Sequence, residues 1–517
     1  MGLLFFPRGG SAQVARYLST ALAEADWSVA LVTGSLGHPG EETHAPTFFA
    51  GTPLHYLDCS DAVRAFAAGG SAIRAAVPMH PSYEDREDAP DVVFSAVPAD
   101  LAGHLSAVWE TPFRRAGADR ADVFHLHHLT PQHDAVGRCW PQGAVVAHLH
   151  GTEIKFLEAV DERAVLARSL GTTLAGMPEW IRAHPGGNVA LDDPQRRLLR
   201  TTRWAQWEHG EAWRHRFRRQ ADAADHLVVV SPADRATAVE VLGADPARVS
   251  DVPNGVDVMR FCPRPMSRQE RRAHFRRWLV EDAQGWDETA VAGTVAYREA
   301  QLDRLLGPHG DATVLIFVGR FTAAKRVPLL VRAFARSRPR FDRPTSLLVW
   351  GGHPGEWEGD HPVTVARNVG PDGVFFAGWR GHDDLPHALA ACEALVMPSV
   401  NDSYPQTPLE AMAVGLPVIA TDSGGFPLMV NLDPARPTGW LVPPDDEHAL
   451  SETLVEAANR PQEMSRRGDA ALAHARKELS WSGRVDRFEA AYASARNHRA
   501  RRGHRLPTGT NGENRLR

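Results

Sequence analysis

The chain has 517 residues, with 57 Lys and Arg against 63 Asp and Glu, for a formal net charge of −6. At roughly 100–200 residues per domain, this length asks for two to four domains. A make-up of 43% hydrophobic and 23% charged residues excludes a mostly disordered, collagen-like or disulfide-scaffold chain, and the near-neutral balance speaks against a dedicated nucleic-acid binder.

Met1-Gly2-Leu3-Leu4-Phe5-Phe6 is apolar but stops at Pro7-Arg8. It is too short for a signal peptide and predicts a first buried strand. No apolar run approaches the roughly 20 residues that span a bilayer, so no transmembrane segment is expected. Cys59, Cys139, Cys262 and Cys392 have no CxxC or zinc-ligand spacing and read as reduced thiols of a cytoplasmic protein. Lysine occurs only at 155, 325 and 477, a habit of GC-rich bacterial coding with no functional content.

The first strand ends in Pro7-Arg8-Gly9-Gly10-Ser11, and an amphipathic helix follows with Val14, Leu18 and Leu22 inward. Gly9 and Gly10 at this turn would let backbone approach an anion at a helix N-terminus; a ligand-free tight turn is the competing reading. Short apolar runs at 29–32, 122–126, 144–147 and 226–230 alternate with helical patterns. Runs at 314–318, 346–350, 374–376, 394–397 and 418–420 continue the series. Such runs are what fully buried parallel strands look like, so the class is α/β with parallel sheets. The alternation breaks near 262–311, where helices are expected at 267–278, with Ser267 and Glu270 in capping-box spacing, and at 288–306.

Three clusters carry candidate chemistry. Gly319-Arg320 follows one strand, and Lys325 stands near the next helix start. Two cations outside a strand's carboxyl end suit a diphosphate. Asp402 and Glu410 have seven residues between them, one in a loop after a strand and the other at the start of the following helix. A carboxylate near a helix N-terminus is placed to accept from paired sugar hydroxyls. Gly424-Gly425 forms another glycine-rich turn. His125 and His127 share a strand face beside His128, but no carboxylate–histidine ligand set accompanies them; the expectation is no metal. The chain also lacks Asp-x-Asp, the usual sign of a Mg²⁺-diphosphate site. Arg-rich stretches at 196–203, 214–219 and 271–277 read as solvated helix faces, although contact with a membrane surface stays open. Trp204, Trp207 and Trp213 either pack or line a groove.

Asp402-x7-Glu410-Ala411-Met412-Ala413-x-Gly415-x-Pro417-Val418 closely resembles the acidic-x7-Glu signature of retaining GT-B glycosyltransferases of family 4. Gly9-Gly10, the Asp122 to His127 strand, His150-Gly151-Thr152 and Pro253-Asn254-Gly255-Val256-Asp257 are similar to further motifs of that family, in the same order. The resemblance implies two Rossmann-like domains facing a central cleft. The acceptor domain would cover 1–262, with a helical insertion at about 160–222, and a helical linker 263–310. A domain for a nucleotide-diphosphate sugar would cover 311–480 and a crossing-back helix 481–497. The basic, apolar-poor composition of 498–517 predicts a disordered tail.

The resemblance also implies roles. Arg320 and Lys325 would hold the donor diphosphate and stabilise the leaving nucleotide. Glu410 would take the ribose hydroxyls, Asp402 the donor sugar, and Gly319, Gly424 and Gly425 would shape the donor site. His150 would face the reacting sugar. Gly9 and Gly10 would close on phosphate or acceptor, and Gly378 and Arg380 would lie near the nucleobase. The implied reaction is metal-independent, retaining hexosyl transfer from a UDP-sugar, without cofactor, to a hydroxyl of a glycan, lipid or small molecule. A GT-B epimerase or phosphorylase, or a non-catalytic nucleotide-binding relative, are the alternatives. Three positions depart from the family pattern: Asp402 stands for the usual Glu, Tyr404-Pro405 for Phe-Gly, and Leu428 for a common Glu.

Overall fold

The computed structural model describes residues 1–87, 89–185 and 190–505. Its strands form two separate parallel sheets. The first holds β1 (Gly2–Leu3), β2 (Leu31–Ser35), β3 (Leu54–Asp58), β4 (Val123–His127), β5 (Ala144–His148), β6 (His226–Val229) and β7 (Val249–Asp251), in the order β3-β2-β1-β4-β5-β6-β7. The second holds β8 (Thr313–Val318), β9 (Thr345–Trp350), β10 (Val374–Gly378), β11 (Ala394–Met397), β12 (Val418–Thr421) and β13 (Gly439–Val442), in the order β10-β9-β8-β11-β12-β13. In each sheet the order reverses beside the first strand, and there an open α/β sheet has its ligand crevice.

The apolar runs become central strands because both faces are covered by helices: every residue of β5, β6, β11 and β12 is buried. Strands β3, β7 and β13 lie at sheet edges and had no counterpart among the predicted runs. The first strand is shorter than the 1–6 run, covering only Gly2–Leu3. The helix Gly9–Glu24 buries Val14, Leu18 and Leu22 as its periodicity requires.

The chain divides into Met1–Pro253 with the segment from Val485 onward, and Asn254–Arg484. This differs from an acceptor domain ending at 262 and a separate linker at 263–310. The Asn254 side-chain amide donates to Tyr404 O at 3.0 Å, and the Val256 N–H donates to Leu479 O at 2.8 Å. Gly255 is fixed by contact, since a Cβ there would stand 2.8 Å from Trp481. The PNGVD segment is therefore built into the second unit. The helix Arg268–Arg276 is capped by Ser267 and Glu270 as expected, and its Arg271 donates to Ala391 O and Glu393 of the same unit. Of the expected 288–306 helix only Glu299–Leu306 forms. Ala290 at φ 57° and Gly293 at φ 84° break it earlier, and Gly285 pairs with Val295 across the resulting loop.

The insertion after β5 carries the helices Thr152–Ser169, Met177–Ala183, Asp193–Thr201 and Gly210–Ala223. Trp204, Trp207 and Trp213 are buried, with Trp213 against Phe94 and Phe217, so they pack rather than line a groove. Its arginines meet acids: Arg203 pairs with Asp85, Arg214 with Asp161 and Arg216 with Asp134. The last helix, Val485–Arg505, packs on β5 and β6 of the first unit. It extends through residues 498–505 of the expected disordered tail; 506–517 lie outside the described residues.

Candidate active site

The second unit gathers most of the candidate residues at the carboxyl ends of β8, β11 and β12, which are neighbours in the sheet. β8 runs into Gly319, Arg320 and Phe321. Gly319 is crossed closely by the chain after β9: its N–H donates to Trp350 O at 3.0 Å, its carbonyl accepts from Gly352 N at 3.0 Å, and a Cβ on Gly351 would stand 2.4 Å from Gly319 O. Arg320 is half-buried. Phe321 is buried and stacks on Trp286, with ring centroids 5.4 Å apart.

A single 3-10 turn, Ala323–Lys325, precedes the helix Val327–Ser337, and Arg326 between them takes a left-handed conformation at φ 52°. The turn is tied to the loop after β11, since Val400 N donates to Ala324 O at 2.8 Å. Lys325 Nζ thereby lies 2.9 Å from Asp402 Oδ1 and 2.8 Å from Oδ2, each side chain 17% exposed. The ammonium is held by a carboxylate from a different loop, 77 residues on.

The loops after β11 and β12 are locked together. Gly425 N donates to Asp402 O at 2.7 Å, and Asn401 N donates to Ser423 Oγ at 3.2 Å. A Cβ on Gly425 would stand 2.0 Å from Ser403 O, and one on Gly424, at φ +60°, 2.3 Å from Asp402 O. Close approach to the chain itself accounts for both glycines. Pro405 sits at the N-cap of the helix Gln406–Val414, so its missing N–H removes no helix bond.

Glu410 lies inside that helix and is 2% exposed. Its Oε1 is 3.3 Å from His382 Nε2, but the geometry is not that of a hydrogen bond, and Oε1 has no hydrogen-bond partner among the described residues. Burial pushes the carboxyl up to about 8, opposed by the nearby Arg260 guanidinium. Arg260 in turn donates to His382 O at 3.1 Å and pairs with Asp383. His382 and Arg260 had no signal in the sequence, since neither belongs to a spaced motif and only the fold carries them to Glu410.

Gly378 and Arg380 stand apart from this cluster. Gly378 is glycine because Gln284 crosses it: a Cβ would be 1.9 Å from Gln284 O. The Arg380 side chain is 2% exposed, and its guanidinium donates to Ala377 O, Trp278 O and Asp282. Arg380 fastens the 278–282 segment rather than standing open at the strand end. Its neighbour Trp379 is 40% exposed.

In the first unit, Gly9 and Gly10 are exposed in the opening turn of their helix. Gly9 has φ +73°, and a Cβ on either would meet nothing within 4 Å. His150 follows β5. Its ring Nε2 lies 2.9 Å from His127 Nδ1, and its N–H donates to Glu153 Oε1 at 3.1 Å. Burial and the surrounding imidazoles hold His150 well below the usual histidine range, so it presents a neutral ring.

Residues 8–260 match the family described as Glycosyltransferase Family 4, and residues 312–460 that described as Glycosyl transferases group 1. The chain belongs to the family 4, group 1 glycosyltransferases. This glycosyltransferase-family chain is 31% identical over 279 residues to the D-inositol 3-phosphate glycosyltransferase of Saccharomonospora viridis, covering 53% of this chain and 56% of that protein. Its identity to the protein of the same name from Actinosynnema mirum is 32% over 279 residues, covering 53% and 58%. The chain thus spans little more than half the length of the curated relatives it matches. Among solved structures it resembles sucrose-phosphate synthase from Thermosynechococcus elongatus (TM-score 0.57, 19% identity, 95% of this chain and 97% of that one). It also resembles Anabaena HepE in complex with UDP and glucose (TM-score 0.54, 13% identity, 98% of each chain). These likenesses show the GT-B fold, two Rossmann-like domains with parallel sheets. No described helix is long and apolar enough to cross a membrane.

Proposed function

We propose that this chain is a retaining glycosyltransferase that moves a hexosyl unit from a nucleotide-diphosphate sugar, with UDP as the nucleotide, to an acceptor hydroxyl. The observation that carries the reading is the convergence of Lys325 and Asp402 beside the Arg320 loop, with Glu410 in the helix that follows. A cation pair and a buried carboxylate at the carboxyl ends of adjacent strands suit a diphosphate and a ribose. HepE, whose fold this chain resembles, is described in complex with UDP and glucose, which supports UDP as the first nucleotide to try.

In this reading Arg320 and Lys325 bind the diphosphate and neutralise the charge that grows on it as the sugar–phosphate bond breaks. Electrostatic stabilisation is then the main catalytic contribution. The departing phosphate oxygen takes the proton of the acceptor hydroxyl on the same face, so the anomeric configuration is retained. No cofactor enters, and transfer itself uses no metal. Asp402 sets the position of the Lys325 ammonium and reaches the donor sugar, Glu410 accepts from the ribose hydroxyls, and neutral His150 offers a hydrogen bond to the reacting sugar. We place the reaction in the cytoplasm, with a glycan, lipid or small molecule as acceptor.

A thermal-shift panel with UDP, GDP, ADP and dTDP tests the reading on wild type and on Arg320→Ala/Lys325→Ala. A ligand at about 100 times its dissociation constant adds about 2.7 kcal/mol of stability. A shift with UDP that the double variant loses is expected. No shift with any of the four at millimolar concentration overturns the donor site.

A further inference from the structure

Strands β4 and β5 pair in parallel, with His127 opposite His148 and His125 opposite Val146. His125, His127 and His148 are at most 2% exposed, and a ligand nitrogen from each lies within 4.8 Å of the others. Their outer nitrogens are held. His125 Nδ1 is 2.7 Å from Tyr492 Oη, and His127 Nδ1 is 2.9 Å from His150 Nε2. The nitrogens on the other side are short of partners. His127 Nε2 and His148 Nε2 have no hydrogen-bond partner among the described residues, and His125 Nε2 meets His148 Nδ1 at 3.1 Å.

Buried polar atoms left unpaired are costly, and in a folded protein each calls for an unseen water or ion. The neutral imidazole is the form that ligates metals. We propose that His125, His127 and His148 form a binding site for one divalent transition-metal ion of the zinc class, with a structural role.

The arrangement suits such an ion. With Nε2 on a metal, the His125 Nδ1–H donates to the Tyr492 hydroxyl oxygen and the His127 Nδ1–H to His150 Nε2, the outer hydrogen bonds that orient ligating histidines. Two nitrogens each about 2.0–2.1 Å from a tetrahedral zinc stand roughly 3.3 Å apart, close to the 3.1 Å between His125 Nε2 and His148 Nδ1, so His148 would bind through Nδ1. The ion would tie β4 and β5 to the last helix through Tyr492. The transfer reaction proposed above uses no metal, and the ion would touch it only through the His127–His150 contact.

The full-length protein, stripped with chelator, is titrated with cobalt(II) and then zinc. One equivalent of cobalt is expected to produce visible d–d absorption, zinc to bleach it, and zinc but not magnesium to raise Tm. His127→Gln/His148→Gln should lose the absorption, while His133→Gln, a buried histidine outside the set, should keep it. If the double variant does not fold, the wild-type titration still decides. No absorption change at tenfold excess of cobalt overturns the site and leaves water as the partner of these nitrogens. So does equal cobalt binding by the folded double variant.

Discussion

Lys325 and Asp402 form a two-point ion pair across loops that follow β8 and β11, with Nζ 2.9 and 2.8 Å from the two carboxylate oxygens. The pair is only 17% exposed, so its electrostatics are less screened than those of a surface bridge. Asp402 supplies the negative charge that keeps Lys325 in place, the part a diphosphate would take in the proposed reaction. The shorter Asp, where the family usually has Glu, fits this distance.

Lys325→Ala should lower kcat by roughly 10²–10³, the usual loss for one preorganised electrostatic donor. Asp402→Asn should cost less, because the ammonium remains. The two residues touch, so their effects should not add. A double-mutant cycle on kcat/KM is expected to show a coupling of about 0.5–3 kcal/mol. A coupling near zero would falsify the claim that Asp402 works by positioning Lys325.

Glu410 gives a pH dependence whose sign is fixed. Its folded value, about 8, lies above the ordinary 4.5. Between the two the folded state keeps a proton that the unfolded state has lost. Stability of the second unit should therefore fall as pH rises from about 4.5 to about 8, by a few kcal/mol at most. Glu410→Gln should flatten this slope in denaturant melts taken across that range. Ribose hydroxyls favour the ionised carboxylate, so UDP binding near pH 7 should release protons. Calorimetry in two buffers of different ionisation enthalpy measures that release.

The central strands were legible because burial on both faces leaves a continuous apolar run, as in β8 and β11. Edge strand β3 (Leu-His-Tyr-Leu-Asp) is interrupted by polar residues, and β7 (Val-Ser-Asp) is polar and only three residues long, so neither left such a run. The break in the 288–306 helix comes from the left-handed Ala290 together with Gly293, and Ala carries no sequence mark of that conformation. Spacing singled out Arg320 with Lys325 as one cluster and Asp402 with Glu410 as another. It could not show that Lys325 and Asp402 are paired or that His382 faces Glu410, because those contacts are long-range. Arg380 was singled out for its place after a strand, and only its buried partners at 278–282 reveal a holding role.

Gly10 and Gly425 separate two uses of glycine. Gly425→Ala puts a Cβ 2.0 Å from Ser403 O and must displace the Asp402 loop. Its expected effects are a fall of several degrees in Tm and loss of the UDP shift. Gly10→Ala meets nothing within 4 Å and sits in a helix, where Ala is favoured over Gly by up to about 1 kcal/mol. Its Tm should hold or rise. If Gly10 serves a ligand's approach, turnover should drop with Tm intact; unchanged turnover removes it from the site.

The end of the chain offers the sharpest contrast between sequence and structure. Read from composition, residues 498–517 are a basic disordered tail. In the structure, buried Asp225 accepts from Val145 N and Arg499 Nε, each at 2.9 Å, and its other oxygen is 3.1 Å from His498 Nδ1. The last helix is thereby fastened to β5 and to the start of β6. Removing one partner of a buried ion pair costs about 3–5 kcal/mol. Asp225→Ala should therefore lower the Tm of the first unit by roughly 6–20 °C, at about 2–4 °C per kcal/mol. Truncation after residue 497 removes the cationic partners instead, leaves the buried carboxylate uncompensated, and should have a comparable effect. Because the two changes break the same contact, their combination should cost little more than either alone. A silent truncation would mean that the carboxylate is held well enough by Val145 N–H, and that the helix end adds nothing to the first unit.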